Sequence, residues 1–411
     1  MALTTVSSDR LSTNVKNTNF TSAEKQDLTD DILPLAGQLG NRNLVINGAM
    51  KVAQRGTTST SSGYHTVDRF KAEGSNTGQT ATQSQQDVSA SDTPYTLGFR
   101  KYMRIALASA GTANANANVE IQQRIEAQDV ANSGWNVTSS SSNITLSFWF
   151  RPSTNQTFYC YIRSYDGTGQ QYAFSFTASG NNTWTKITKT IPGNSNLTID
   201  NNTGAGLQIV LTPFYGTNYT NNLTLNQWAV IDNANYLPDM ASTWLTTGTP
   251  TFDVTGVQLE VGSVATDFEH RSVHDELIRC MRYCVVYEHQ LFNETLVFIG
   301  ASRSSTAKFF TWPLSTPMRA DPTVTRFGPT RLGMSDFTTE DATSTLTVGG
   351  VTPTTQLVQP DGPAVGGDKL TFFYSGSVSG MTNQNDAFYQ LMFVSDTTSG
   401  SANKLTFDSE L

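Results

Sequence analysis

Apolar and polar residues alternate with a period close to two through most of the chain. The clearest run is TFDVTGVQLEV at residues 251–261, where the alternation is broken once, at Thr255-Gly256. A period of two predicts a half-buried strand, and a glycine inside such a run predicts a bulge or a close backbone approach. This run therefore predicts a strand that is bent at Gly256.

About eleven such runs follow one another over 41–271, from LVINGAMKVA to TFDVTGVQLE, separated by turns rich in Gly, Asn and Ser. Many short strands with regular turn signals predict an antiparallel β-sandwich. A first and a last strand with matching turn signals fit a jelly roll, whose two ends lie close together. Six or seven shorter runs over 291–411 predict a second β-sandwich, with Gly- and Pro-rich loops at one end. The predicted fold class is mainly β.

Two segments have helical spacing instead. Thr21 to Glu24 reads as a capping box that opens a short helix within 1–40, with Leu28, Ile32 and Leu33 on one side. A helix this short is marginal alone in water, so it needs a surface, either on its own domain or on another chain. The segment 272–290 has apolar residues at helical spacing and acidic residues in its first turn, which predicts a connecting helix.

Composition excludes several classes of protein. With 22 Phe, 14 Tyr and 6 Trp the chain has enough apolar material to fold, which argues against disorder. A net charge of −8 argues against a nucleic-acid partner, which would need a basic face. The N-terminal residues lack the features of a signal peptide and no run of about 18 apolar residues occurs, so neither classical export nor membrane insertion is expected.

The motifs give no indication of catalysis or of a cofactor. No nucleophile elbow, zinc-protease motif or phosphate loop occurs, and no catalytic residue is predicted. The three cysteines are expected to pack in cores rather than to bind metal. The oxygens of Asp232, Asn233 and Asn235 suit either a calcium ion or a turn rich in Asx residues, and both readings stay open.

Aromatic residues outside the core strands point to binding. Sugar-binding sandwiches stack aromatic rings on the apolar faces of sugars and bond the hydroxyls with nearby polar groups. The candidates are Tyr64, Tyr95, Trp135, Tyr165, Tyr215, Tyr219, Tyr236 and Trp244. Each of them either contacts a glycan or packs in a loop or between chains.

Five motifs in order carry a family resemblance: N-L-V-I-N-G at 43–48, Q-R-G at 54–56, V-D-R-F at 67–70, L-S-F-W-F at 146–150 and V-Q-L-E-V-G at 257–262. As a set they resemble a family of bacteriophage tail-fibre and minor structural proteins. In that family an opening strand N-L-x-x-N-G pairs with a closing strand V-Q-L-E-x-G around a jelly roll similar to carbohydrate-binding modules.

The resemblance implies a virion protein on the outer surface of the tail, made in the host cytoplasm. It implies a homotrimer that binds a host cell-surface glycan, and a segment at 1–40 that attaches to other tail or virion proteins, with Leu28, Ile32 and Leu33 as the contacts. The position and loops of 291–411 suggest a receptor-binding tip. Two alternatives are a capsid or tail decoration protein with a purely structural role and a glycan-cleaving tail spike.

Overall fold

The computed structural model describes residues 41–289, 296–304, 307–320, 322–327, 331–336, 354–355, 369–375, 388–394 and 403–411. The predicted helix that carries Leu28, Ile32 and Leu33 lies outside these residues. Residues 44–411 form one compact unit. Among the described residues, no helix has the length and apolar character needed to span a membrane.

Twelve strands and three short helices occupy the described residues 41–261. The strands are β1 (Thr58–Ser59), β2 (Lys71–Ser75), β3 (Ala81–Asp87), β4 (Lys101–Leu107), β5 (Asn118–Glu126), β6 (Asn143–Pro152), β7 (Phe158–Ser164), β8 (Gln170–Phe176), β9 (Thr185–Pro192), β10 (Ala205–Tyr215), β11 (Trp228–Val230) and β12 (Thr251–Val261). The helices are α1 (Thr93–Thr96), α2 (Ala127–Ala131) and α3 (Thr243–Thr246).

These strands form two six-stranded antiparallel sheets. The first sheet has the order β1-β3-β4-β12-β6-β9, and the second has the order β11-β8-β7-β10-β5-β2. One apolar cluster joins their facing sides, with Phe148 and Phe150 from the first sheet and Ile162, Leu207 and Ile209 from the second, each at most 2% exposed. Alternate residues of each strand point into this shared core because the side-chain period of a strand is two. The predicted antiparallel sandwich is confirmed.

The predicted bulge in the closing strand is confirmed. The register of β12 against β6 shifts between Thr255 and Gln258, and Gly256 has a φ of +64°. A Cβ placed on Gly256 would lie 2.7 Å from Cζ of Phe99. The glycine is therefore required both by the backbone conformation and by the approach of an aromatic ring.

The structure differs from the sequence prediction at two places in this region. The N-L-V-I-N-G segment is not a strand, because Asn47 and Met50 have φ values of +61° and +56° and the chain turns there. Two backbone bonds link it to the closing strand: the Leu44 amide donates to the Leu259 carbonyl at 2.9 Å, and the Val257 amide donates to the Gly48 carbonyl at 3.0 Å. Strand β3, by contrast, was not predicted, since its sequence ATQSQQD lacks apolar alternation.

The predicted helix over 272–290 is wrong in its second half. Helix α4 covers Val273–Met281, and its N-cap Ser272 accepts the Asp275 amide at 3.0 Å. The chain then enters β13 (Cys284–His289), where the β-branched pair Val285-Val286 favours extended backbone. The helical spacing of Cys280 and Cys284 thus reflects two elements, although all three cysteines are buried and free, as a packing role predicts.

The remaining strands are β14 (Leu296–Ser304), β15 (Ala307–Pro313), β16 (Thr323–Phe327), β17 (Arg331–Asp336), β18 (Thr354–Thr355), β19 (Lys369–Ser375), β20 (Phe388–Val394) and β21 (Asn403–Asp408). A three-stranded antiparallel sheet has the order β13-β21-β16, and a six-stranded one has the order β17-β20-β14-β15-β19-β18. The β-rich character predicted for 291–411 is confirmed in the described residues.

Candidate functional site

The outer face of the second sheet carries polar side chains in straight rows across the strands. In the antiparallel register Gln208 of β10 lies opposite both Arg163 of β7 and Arg124 of β5. In the next row on the same face, Gln122 of β5 lies opposite Val210 of β10 and Lys71 of β2. The neighbouring residues Ile162 and Ile209 point into the core, so these polar residues must point outward.

A loop from β10, residues 216–240, supplies aromatic rings to this face. The rings of Tyr219 and Tyr236 are stacked, with centroids 6.2 Å apart and planes 8° from parallel. Tyr215, at the end of β10, lies 5.5 Å from the Tyr219 ring and 6.4 Å from the ring of Tyr161 on β7. The loop is held by Leu237, which is fully buried, and by a bridge between Thr220 and Leu237.

Together the sheet and the loop enclose a cavity of about 240 Å³, here called the tyrosine cavity. Five tyrosines line it: Tyr161, Tyr165, Tyr215, Tyr219 and Tyr236. Three cations and two carboxylates line it as well: Lys71, Arg124, Arg163, Glu73 and Glu120. Aromatic faces with convergent donors and acceptors are the chemistry that recognises a sugar ring and its hydroxyls.

Arg163 is the most constrained cation of the cavity. Its side chain lies with Cζ 3.9 Å from the centre of the Tyr236 ring and 4.7 Å from that of Tyr161. Its Nε donates to Oε1 of Gln171 at 2.8 Å, and the residue is only 8% exposed. The guanidinium is therefore fixed in orientation by ring stacking and one hydrogen bond.

Glu120 is the buried carboxylate of the cavity. It accepts hydrogen bonds from the Tyr215 hydroxyl and from Nε2 of Gln122, the latter at 2.8 Å. Burial raises the pKa of Glu120 to about 7, against the lowering effect of the Tyr215 bond. Burial also raises the pKa values of Tyr161 and Tyr215 well above that of a free tyrosine, so both remain neutral donors.

The structure brings four of the predicted aromatic residues together and separates the other four. Tyr165, Tyr215, Tyr219 and Tyr236 all line the tyrosine cavity. Tyr64 lies elsewhere, where its hydroxyl donates to the Leu411 carbonyl at 3.2 Å. Tyr95 stands in α1, against the guanidinium of Arg100.

For Trp135 and Trp244 the packing alternative is correct and glycan contact is wrong. Trp135 is 5% exposed and Trp244 is fully buried, and both belong to the apolar cluster between the sheets. Trp244 donates from Nε1 to the Thr251 carbonyl at 2.9 Å and packs edge-on against Phe252. Loops that cross the open ends of a sandwich cover its core, and a large ring in such a loop is buried there.

Sequence reasoning missed the strand residues of the cavity, among them Arg124, Arg163, Glu120 and Gln208. In an alternating strand such residues look like ordinary solvent-facing positions. Only the register between β5, β7 and β10 shows that they converge.

The segment proposed for calcium forms a turn. Oδ1 of Asp232 accepts the Ala234 amide at 3.0 Å, and Oδ1 of Asn233 accepts the Tyr236 hydroxyl at 2.8 Å. Within the described residues, no group of three His, Cys, Asp or Glu side chains is arranged to hold a metal ion. The turn explains these oxygens structurally, and calcium binding by Asp232, Asn233 and Asn235 stays a prediction.

A second cavity, of about 270 Å³, lies on the outer face of the first sheet beside Trp149 and Gly256. The V-Q-L-E motif holds the segment whose Asp267, Phe268 and His270 line this cavity. Glu260 accepts the Thr266 amide at 2.9 Å, and Gln258 accepts the Glu269 amide at 2.8 Å. These bonds fold residues 262–270 back over the sheet. The motif thus has a structural role in holding the end of the sandwich.

No protein-family model matches this chain, and no curated protein matches it either. Among solved structures, it is similar to the enzymatically active domain of tailspike protein 4 from bacteriophage CBA120, with 11% identity, 54% of this chain and 22% of that chain covered, and a TM-score of 0.29. The match thus spans less than a quarter of the tailspike chain.

Two further similar structures are carbohydrate-related. A putative sugar-binding protein from Bacteroides thetaiotaomicron has 11% identity, with 54% of this chain and 100% of that chain covered and a TM-score of 0.28. The N-terminal cellulose-binding domain of β-1,4-glucanase C from Cellulomonas fimi has 10% identity, with 52% and 99% covered and a TM-score of 0.26.

Proposed function

We propose that this chain is a phage tail-fibre protein that binds a host cell-surface glycan without cleaving it. The observation that carries the binding proposal is the tyrosine cavity, where the rings of Tyr219 and Tyr236 stand beside the polar row of Arg163, Gln208 and Arg124. Tyrosine faces stack on the C–H faces of sugars, and the amide and guanidinium groups bond the hydroxyls. The cavity is small beside the roughly 300–1,000 Å³ of drug-sized sites, which suits one or two sugar units of a longer chain.

The two carboxylates of the cavity support binding rather than hydrolysis. Glu73 lies opposite Glu120 in the register of β2 and β5, but it forms an ion pair with Lys71. Glu120 is bonded by Tyr215 and Gln122. A glycosidase needs one carboxyl as acid and another that attacks or activates water, and here neighbouring side chains bind both.

The binding proposal predicts a specific loss in Tyr236→Ala. Removal of one stacking ring is expected to weaken saccharide binding about tenfold, measured by calorimetry against a panel of host envelope glycans. Tyr95→Ala is the matched control, because Tyr95 is also a half-buried ring stacked on an arginine but lies in helix α1, away from the cavity. Equal binding by the wild type and Tyr236→Ala would contradict the placement of the site, and release of reducing ends by the wild type would support the cleaving spike.

The virion part of the proposal rests on the five ordered motifs and on a predicted attachment helix in 1–40. It predicts a homotrimer in light scattering, which persists when residues 1–40 are removed because they serve for attachment to other tail proteins. A monomeric full-length chain without affinity for any host glycan would favour a decoration protein instead.

Deletion of residues 291–411 tests the proposed receptor-binding tip. Host adsorption is then expected to be lost while particles still assemble.

A further inference from the structure

The charges of the tyrosine cavity are unlike those of the rest of the chain. The protein carries a net charge of −8, yet three cations and two carboxylates line this cavity. Lys71 and Glu73 neutralise each other as an ion pair. The remaining charged groups of the cavity are the two cations Arg124 and Arg163 and the carboxylate of Glu120. Burial raises the pKa of that carboxyl to about 7. The cavity is therefore locally cationic on an acidic protein.

The two arginines have no carboxylate partner among the described residues. Arg163 is 92% removed from solvent, and its Nη2 has no hydrogen-bond acceptor in the described part of the protein. Nε of Arg124 is buried without an acceptor there too. A buried guanidinium donor without an acceptor costs free energy, and such groups in native proteins call for an explanation.

The surroundings keep both guanidinium groups in place without neutralising them. Arg163 rests on Tyr236 and Tyr161, while Cζ of Arg124 lies 5.3 Å from the centre of the Tyr165 ring. Gln208 stands between the two arginines in the register, and its Oε1 accepts the Tyr165 hydroxyl at 2.5 Å. Stacked arginines present their planar N–H groups at a fixed angle, which suits a carboxylate.

We propose that the ligand of this cavity is an acidic glycan, whose sugar carboxylate is bound by Arg163 with Arg124 beside it. This inference rests on the proposed glycan site. The tyrosine rings stack on the sugar ring, and the carboxylate accepts from the guanidinium groups that line the cavity. The specificity lies in the guanidinium pair, since a neutral sugar of the same shape leaves the two cations without a counter-charge.

The test uses the full chain and three polysaccharides built on uronic acids, namely polygalacturonate, alginate and hyaluronan, each beside its carboxyl-reduced form. Carboxyl reduction keeps the ring stereochemistry and replaces each carboxylate with a neutral hydroxymethyl group. We expect the chain to bind at least one acidic form and to lose about 10- to 100-fold in affinity for its reduced form, as for a charge-assisted hydrogen bond. Binding should also weaken as salt rises.

Arg163→Met should reproduce this loss while it keeps an apolar stem on the tyrosine rings. Arg124→Met provides a second variant at a half-exposed position, in case the first one fails to fold. Arg100→Met is the matched control, because it removes the same charge from a guanidinium that also lies 3.9 Å from a tyrosine ring, that of Tyr95 in helix α1.

The outcomes separate the two proposals. Equal binding of an acidic polysaccharide and its reduced form, lost in Tyr236→Ala but kept in Arg163→Met and Arg124→Met, overturns the acidic ligand and leaves the glycan site standing. Absence of binding to every acidic and reduced form, together with the neutral host glycans, overturns both. Loss of binding on carboxyl reduction and in the arginine variants, with Arg100→Met unchanged, supports both.

Discussion

At the scale of single residues, the chemistry of the cavity depends on neighbours that are distant in the sequence. The loop tyrosines were predictable because Tyr219 and Tyr236 stand outside any apolar run. Arg124 and Arg163 were not, because each is one polar position in an alternating strand, and only Gln208 on a third strand brings them into line. Sequence alone shows which residues can bind, whereas register shows which of them meet.

Glu120 predicts how stability depends on pH. Its folded-state pKa is about 7 against 4.5 unfolded, so between these values the folded state holds a proton that the unfolded chain releases. This proton stabilises the folded state by up to about 3 kcal/mol. The stabilisation is fully present below pH 4.5 and is lost as pH rises through 7. Glu120→Gln should remove this dependence, measured as urea unfolding between pH 5 and pH 8.

The groups that face Glu120 bear on this prediction. Tyr215, Tyr161 and Arg163 approach from β10 and β7, and Lys71 with Glu73 approaches from β2. Burial also raises the pKa of Asp68 to about 6. Because Asp68 is present in both the wild type and the variant, its contribution cancels when their free energies of unfolding are compared. Parallel pH profiles for the two proteins would show that Glu120 is ionised throughout this range.

At the scale of elements, the apolar pattern predicted most strands and the bulge of β12. It was wrong where hydrogen bonds, rather than apolar burial, determine the backbone conformation. Strand β3 has a polar sequence and forms because β1 and β4 pair with it on both sides. The N-L-V-I-N-G segment has an apolar pattern, yet the side chain of Asn47 bonds the carbonyls of Val52 and Asp68 and holds a turn. In both cases hydrogen bonding to distant backbone overrides the local pattern.

The bulge of β12 predicts a large effect of a single methyl group. Gly256→Ala places a Cβ 2.7 Å from Phe99 and 3.2 Å from Trp149, on a backbone with φ near +64°. Gly248→Ala is the matched control, since its φ is +61° but no atom lies within 4 Å of the added Cβ. We expect about 1 kcal/mol of destabilisation for Gly248→Ala and about 2–4 kcal/mol for Gly256→Ala, measured by urea unfolding. Equal losses would mean that the ring contacts relax freely.

At the scale of the whole molecule, the remaining motifs join the sandwich to the elements that follow it. In Q-R-G, Nε2 of Gln54 donates to the Cys284 carbonyl at 2.8 Å, and Arg55 pairs with Asp408 at 2.8 Å. In V-D-R-F, Arg69 pairs with Glu410 and lies 3.4 Å from the Tyr283 ring centre. The motifs are therefore explained by the contact of the sandwich with residues 283–284 and 408–410, rather than by the cavity.

The Arg69–Glu410 pair predicts strong coupling across this contact. The two side chains are 1% and 5% exposed. Loss of Glu410 leaves the buried Arg69 without its carboxylate, and loss of Arg69 leaves Glu410 with Arg55 as its remaining cation, at 3.3 Å. Arg69→Met and Glu410→Gln should each cost about 3 kcal/mol in urea unfolding, while the double variant should cost well below their sum. A double-mutant cycle on the exposed pair Lys101–Asp87 is the control, and its coupling free energy is expected to be less than about 1 kcal/mol.

Additive losses in the first cycle would mean that the two segments separate before the sandwich unfolds, and that the contact is weaker than its burial indicates. Strong coupling would instead show that 408–410 unfold together with the sandwich. Arg69 also donates to the Arg124 carbonyl at 2.5 Å, in the strand that carries one side of the tyrosine cavity. Coupling should therefore be accompanied by weaker glycan binding in Arg69→Met, although that side chain does not line the cavity.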